Sequence, residues 1–453
     1  MIPHLLAAAA LTAAPALAGT LTVGPSGSGA AFNDLAPAIA AAAPGDVILV
    51  QPGAYQDFGT LVVDKPLTLL GAGSANTSFE ALPTNPFDVP LPLLVTGLAV
   101  GEEVRIAGLS LGAGVLGGSA SGLLVIEDCA GPVVIADVAN ANTDILTGAP
   151  AVAQVRASDQ VVFDACSFIA VATGDGSTPP TAGLLVEQSK VYVNDSTVVG
   201  ASAATLFFQP VVARDGAPAI RVVDSVVRVS RSAVTGGAGT QNSAFAVVEE
   251  LTAGGAGIEV QSGSALLRGG AGNLVMGGRG GSATVGGMAA VGPGGAGVFV
   301  AAPALATTVG DSVVQAGPDF DGATTTPAIA GPGAHLPFAE AYATLGADRT
   351  VATLGGNVTF ELGGPANGTA LTYYSTKQVA ALTVAGTKGE VLLDPLALSP
   401  LPPRTLDAAG AASFTANVPA NPGLVGVSVL VQSVAASSTG EVSFSAPVLV
   451  GLH

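Results

Sequence analysis

Residues Gly183–Gly200 and Ala219–Gly236 carry one pattern twice, displaced by 36 positions. Leu184 aligns with Ile220, Val186 with Val222, Ser189 with Ser225, Val191 with Val227, Val193 with Val229, Ser196 with Ser232 and Val198 with Val234. Looser copies begin near Gly122, Val152, Gly257 and Gly297. Within each copy apolar residues recur at every second position, which fits a strand and excludes an amphipathic helix. One such unit cannot bury its apolar side alone, so successive units must stack as a solenoid. Their strands then form parallel ladders about 4.8 Å apart. Ser189/Ser225 and Ser196/Ser232, with Cys166 in the same phase, are expected to stack at the corners and bond to the turn backbone.

A bare coil needs roughly 20–25 residues. The surplus collects at one phase, in Gly174–Ala182, Ala201–Pro218, Gly237–Ala256 and Gly278–Ala296. Insertions at constant phase leave one edge of a solenoid as a row of loops. Asp175, Arg214, Asp215, Phe245, Glu249, Glu250 and Arg279 lie in that row and are the candidate binding residues. The competing reading is Gly-rich decoration or short strands that thicken the sheet.

The chain has 14 Lys and Arg against 32 Asp and Glu, a formal net charge of −18, which argues against nucleic acid and anionic membranes. Leu5–Ala18 is an apolar run ending in Ala16-Leu17-Ala18 before Gly19, so residues 1–18 are expected to be a signal peptide. No later stretch is long and unbroken enough to predict a membrane span. Export implies an oxidising compartment. Cys129 and Cys166 nevertheless fall at non-equivalent turns and are expected as buried free thiols, with a disulfide as the alternative.

The solenoid needs a cover for its first coil. Ala31–Ala43 holds Phe32, Leu35 and Ile39 at helical spacing, with Asn33 or Asp34 as N-cap and Pro44-Gly45 as stop. Then follow Gly45-Asp46-Val47-Ile48-Leu49-Val50-Gln51-Pro52-Gly53-Ala54-Tyr55 and Asp64-Lys65-Pro66-Leu67-Thr68-Leu69-Leu70-Gly71. An Ala-rich helix before these two strands resembles the opening of right-handed parallel β-helix proteins of the pectate-lyase-like superfamily. The opening match covers about 55 residues. The repeats extend the architecture to residue 317 without extending any family's chemistry. Residues 318–342 are expected to be a linker or cap. From 343 to 453, alternating runs at Val358–Leu362, Ala370–Tyr374, Val391–Leu393, Ala412–Ala416, Leu424–Val434 and Glu441–Val450 predict a β-sandwich. This part resembles C-terminal β domains of secreted proteins from planctomycete-like bacteria. The predicted fold is therefore all-β: a right-handed parallel β-helix with an N-terminal capping helix, followed by a small C-terminal β-sandwich-like domain.

The superfamily resemblance implies marks by which its enzymes would be known. A pectate lyase would carry a basic proton acceptor and calcium-holding carboxylates, yet no Arg-x-Pro-x-x-Arg stretch occurs. A polygalacturonase would carry Asn-Thr-Asp, Asp-Asp and Gly-His-Gly; only Asn142-Thr143-Asp144 is found. Asp128, Asp137, Asp164, Asp195 and Asp224 sit at or near turns and read as turn caps, with a groove lining or calcium ladder as the functional alternative. Asp319-Phe320-Asp321-Gly322 has an acidic-loop flavour without the further ligands of a calcium loop. The Gly runs 269–272 and 277–281 lack the Lys and Ser or Thr of a phosphate loop.

The first functional reading is an exported, non-catalytic β-helix protein for surface interaction, envelope structure or glycan binding, secreted or at the cell surface. It needs no cofactor, with calcium as the one candidate. Its expected partners are a polysaccharide or a cell-surface protein, not nucleic acid. The alternative is a polysaccharide-active enzyme, a lyase or glycoside hydrolase of the superfamily, which rests on fold analogy alone. A third reading is an adhesin whose loops bind a protein.

Overall fold

The computed structural model describes residues 19–82, 84, 91–113, 124–141, 150–171, 179–203, 213–241, 250–269, 272–285, 288–309, 312–338 and 341–453. It is a parallel β-helix with a β-sandwich folded back against its side.

Each coil runs through three faces. The first face is a nine-stranded parallel sheet from Leu61–Val63 to Ile329–Ala330. Its inward residues Val63, Val95, Ile126, Val155, Val186, Val222, Val260 and Val300 stack in one fully buried file. The second face carries Ile48, Leu69, Ile106, Ile135, Phe163, Val193, Val229 and Leu267 in the same way. The third face runs through Ser167–Ile169, Thr197–Val199, Ala233–Thr235, Leu274–Met276 and Val313–Gln315. The repeat is thus realised in space: Val191 pairs with Val227, Leu184 with Ile220 and Val198 with Val234. The parallel ladders continue past residue 317, because Ile329–Ala330 pairs with Val298–Phe299 and Ala334–Phe338 with Leu305–Val309.

The corners are built by two files of small polar residues. At the first, the N–H groups of Cys129, Ser158 and Ser189 donate to Oγ of Ser158, Ser189 and Ser225, at 3.3, 3.0 and 3.0 Å. At the second, Cys166 N–H donates to Ser196 Oγ at 2.9 Å and Ser196 N–H to Ser232 Oγ at 3.1 Å. Each serine hydroxyl returns its own proton to the carbonyl two residues earlier. The preceding residue is left-handed, with φ near +50° at Asp128, Ala157, Gln188 and Asp224, and at Ala165, Asp195 and Arg231. Asp tolerates that region better than most side chains, which is what Asp128, Asp195 and Asp224 supply. The two cysteines belong to different corner files, and both are buried and free. Burial raises both thiols, Cys166 most strongly.

Leu35–Ala41 is the capping helix, shorter than the predicted span. Leu35, Ala38 and Ile39 are buried on the end of the first coil. Asp34 is the N-cap but makes no side-chain cap bond. The carboxylate of Asp57 on a neighbouring strand accepts from Ala36 N–H instead, at 3.0 Å.

The insertions after the third face are not simple projecting loops at their bases. Outgoing and returning segments form a slab of extended backbone. One hydrogen-bond file crosses the repeats: Ala201 N–H donates to Thr181 O, Ala217 to Ala201, Gly237 to Ala217, Gly255 to Gly237, Gly278 to Gly255, Gly295 to Gly278 and Gly317 to Gly295. Donors recur at every third residue; Gly236 and Gly239 bond to the next outgoing segment, and Gly237 and Thr240 to a returning one. A period of three with no bonds inside a segment is the signature of polyproline-II backbone. The glycines here have negative φ. They are required by approach instead: a Cβ on Gly237 would lie 1.9 Å from Ala201 O, and one on Gly278 1.8 Å from Gly237 O.

The sandwich packs the three-stranded sheet of Thr344–Ala347, Asn357–Gly363 and Ala411–Asn417 on a larger sheet holding Thr369–Ser375, Ser428–Ala436 and Val448–Leu452. Where one strand is predicted for Leu424–Val434, a short 3-10 turn at Pro422–Leu424 precedes Ser428–Ala436, and Glu441–Val450 divides into Val442–Phe444 and Val448–Leu452. Phe360, Leu362, Phe414, Val431, Ala435, Val448 and Val450 fill its core. The other side of the larger sheet presents Leu430 and Leu449 to the second face of the helix, where they meet Leu49, Leu70, Val134, Val162 and Tyr192.

Candidate functional site

The charged side chains at the junction of helix and sandwich hold the two together. Arg105 is buried; it takes both oxygens of Glu103 at 2.7 and 2.8 Å and donates to Ser428 O and Oγ and to Thr376 O. Glu390 from the sandwich accepts from Lys190 Nζ at 2.9 Å, Arg228 Nη1 at 2.5 Å and the Tyr192 hydroxyl. Burial alone would raise Glu390, but those donors outweigh it and hold the carboxyl at about 2. Burial pushes the Tyr192 phenol up. Arg268 is buried beneath this cluster, donates to Phe444 O at 3.0 Å and lies over the Tyr342 ring. Burial and the neighbouring Arg228 lower it to about 10.

Asp164 is the deepest acid of the junction. Its oxygens accept from Asn194 Nδ2 at 2.9 Å and Leu449 N–H at 3.1 Å. Burial pushes it up to about 7 against these two bonds. It fixes the sandwich on the helix, a role beyond the expected turn cap. Asp137 does cap a turn, accepting from Ser74 N–H and hydroxyl at 3.0 and 2.6 Å. Asp319 accepts from Gly294 N–H and Asp321 from Ala323 N–H. Among the described residues no group of three or more His, Cys, Asp or Glu side chains converges on a point.

Of the predicted loop row, Asp175, Phe245 and Glu249 lie outside the described residues, as does Asn142-Thr143-Asp144. The other four do not form one cluster. The Arg214 backbone N–H donates to the Thr240 hydroxyl, which donates back to Arg214 O, and Asp215 Oδ1 accepts from Ala253 N–H at 2.7 Å. Arg279 covers the Phe320 ring at 4.5 Å and donates to Phe320 O, while Glu250 is exposed. Three of them tie the glycine slab together.

The large concavity lies elsewhere, between the third face and the sandwich. It is an open cleft of about 1390 Å³. Leu274, Val313, Asn273 and Gln315 form its floor, residues 361–366 and 409–413 one wall, and Ser437, Ser438, Thr439 and Glu441 a lip. Arg231 at its inner end is held by Glu361 at 2.7 Å and Asp195 at 3.7 Å. An apolar floor with a rim of hydroxyl and amide groups can hold a ligand that offers both C–H surface and hydroxyl groups. The repeat foretold the floor's strands; nothing local in the sequence marked the wall, whose Glu361 lies 130 residues from its partner Arg231.

No protein-family model matches the chain, and no curated protein matches it. Among solved structures it is similar to the ORF18 protein of Geobacillus virus E2, at 11% identity over 83% of this chain and 69% of that one, TM-score 0.25. It is similar to the enzymatically active domain of bacteriophage CBA120 tailspike protein 2, at 11% identity over 89% and 72%, TM-score 0.28. It is also similar to full-length tailspike protein 2 from an Escherichia coli O157:H7 bacteriophage, at 9% identity over 89% and 64%, TM-score 0.29. Likeness at this level says nothing of function.

Proposed function

We propose that the chain is an exported, non-catalytic β-helix scaffold that binds a glycan in the cleft between the third face and the sandwich. The observation that carries this reading is the cleft itself: Leu274 and Val313 on a rigid ladder form an apolar floor with Gln315 beside them, rimmed by Ser413, Ser437, Ser438 and Thr439. The hydrogen-bonded solenoid supports it, because a preformed site loses little freedom on binding. The charged groups Arg105, Glu103, Lys190, Arg228, Glu390 and Asp164 are engaged in holding the sandwich, which favours a scaffold over acid–base chemistry. Among the described residues no helix is long and apolar enough to cross a membrane. The resemblance to the pectate-lyase-like superfamily and the leader-like first 18 residues belong to the same proposal, as does a second contact region on the loop row of Asp175, Phe245 and Glu249.

The test is an array of plant, algal and bacterial glycans probed with the chain lacking residues 1–18, with and without calcium. Retention of a glycan without release of reducing or unsaturated sugar is expected. Release of either product would replace this reading with a lyase or hydrolase, and retention only with calcium would add the metal to the site.

A further inference from the structure

We propose that the cleft selects neutral, hydroxyl-rich glycans and rejects polyuronates; this rests on the glycan-binding reading above. The lining offers carboxylates from Glu361, Asp407 and Glu441 against one guanidinium, that of Arg231. That guanidinium is engaged through Nη2, and its Nε is buried away from the cleft. It is bonded to Glu361 at 2.7 Å, faces Asp195, and is pressed against the backbone at Gly346, where a Cβ would lie 2.5 Å from Nε. A uronate entering the cleft therefore meets three carboxylates, two of them paired with Arg231 and Lys388 and the third, Asp407, bonded to backbone N–H groups, and no uncommitted cation among the described lining residues. Its own carboxylate would be desolvated without a partner.

The carboxylates are fixed in place. Asp407 Oδ1 accepts from Ala409 N–H at 2.8 Å and Ala411 N–H at 2.9 Å, which shapes the wall. Glu441 pairs with Lys388 at 3.2 Å on the lip, and its own N–H donates to Ser437 Oγ. The whole-chain charge of −18 adds a repulsive field for any polyanion. A neutral chain meets none of these costs. Its hydroxyl groups find the exposed Gln315, Ser413 and Ser438, and its C–H faces find Leu274 and Val313.

The test is affinity electrophoresis and calorimetry of the full chain with a soluble neutral glucan, a galactomannan, polygalacturonate and alginate, at about 20 and about 300 mM salt. Neutral chains should bind with little salt dependence, and polyuronates at least tenfold more weakly at low salt, with a narrower gap at high salt. Glu361→Gln removes one carboxylate and releases Arg231, so polyuronate affinity should rise. Ser438→Trp fills the exposed lip and should weaken neutral binding. Polyuronates bound as tightly as neutral chains at low salt would overturn the selectivity and leave the glycan-binding reading standing. Failure of all four polymers would overturn both. Neutral binding unaffected by Ser438→Trp would remove it from the cleft.

Discussion

The backbone N–H of Ser196 donates to the hydroxyl of Ser232 at 3.1 Å, across 36 residues of sequence. That hydroxyl donates in turn to Ser230 O at 2.7 Å. Ser232→Ala leaves the Ser196 N–H buried without a partner and should cost about 1–3 kcal/mol. Ser232→Cys should cost less, because Cys166 already holds the equivalent place two coils earlier. Denaturant midpoints of the two variants check the order.

Glu390 is the single carboxylate shared by Lys190, Arg228 and Tyr192. Glu390→Ala strands two partly buried cations and should destabilise the junction by about 3–5 kcal/mol. Replacing Lys190, Arg228 and Glu390 together with apolar residues of similar size should restore most of that loss. Chemical unfolding measures both. Equal loss in the single and triple variants would assign the effect to packing rather than charge.

Asp164 gives the junction a pH dependence of defined sign. Its folded value of about 7 stands above its unfolded one, so the native state holds the proton more tightly. The stability it contributes is complete below about pH 4 and is lost as pH rises through about 7. Asp164→Asn keeps one acceptor oxygen, sets an NH2 group against the other donor and carries no titrating proton; whatever its fixed cost, it should flatten unfolding midpoints across that window. An unchanged pH profile in this variant would contradict the assignment.

Gly237 and Gly101 separate two reasons for glycine. Gly237 has negative φ and a neighbour at 1.9 Å, whereas Gly101 has φ +87° and open space around it. Gly237→Ala forces carbonyls apart through the slab and should cost about 3 kcal/mol or more. Gly101→Ala meets only backbone strain, about 1–2 kcal/mol. Thermal melts of both variants rank them.

The register of Val191 on Val227 was legible because a stacked coil writes the same period into each repeat. The corner serines were legible for the same reason, as was the capping helix, whose 3.6-residue spacing differs from its surroundings. The docking of the sandwich was not. Its trace is nonetheless present: Val47–Val50 is continuously apolar and Leu69-Leu70 breaks the alternation of its strand, because Leu49 and Leu70 point outward into the sandwich while Ile48 and Leu69 point inward. Lys190–Asn194 and Ser225–Ser230 return to alternation where the contact turns polar. The slab also left a signal, a G-G-x-G run at Gly236, Gly254, Gly277 and Gly294, which reads as loose loop unless backbone packing at a period of three is considered. Asp164, Glu390 and Arg231 act through partners 130 to 285 residues away and leave no local pattern.

The in-register stacking of coils is tested most directly by electron–electron distance measurement between spin labels. Leu94, Val125, Gln154, Leu185, Arg221, Glu259 and Phe299 occupy successive rungs of one file on the first face. With Cys129 and Cys166 replaced by the serine that other coils use, labels at Leu94→Cys and Phe299→Cys span six rung spacings. A single narrow distribution near 29 Å, allowing for label reach, is the predicted result at about 4.8 Å per rung. A broad distribution, or one centred well beyond about 40 Å, would contradict the stacking.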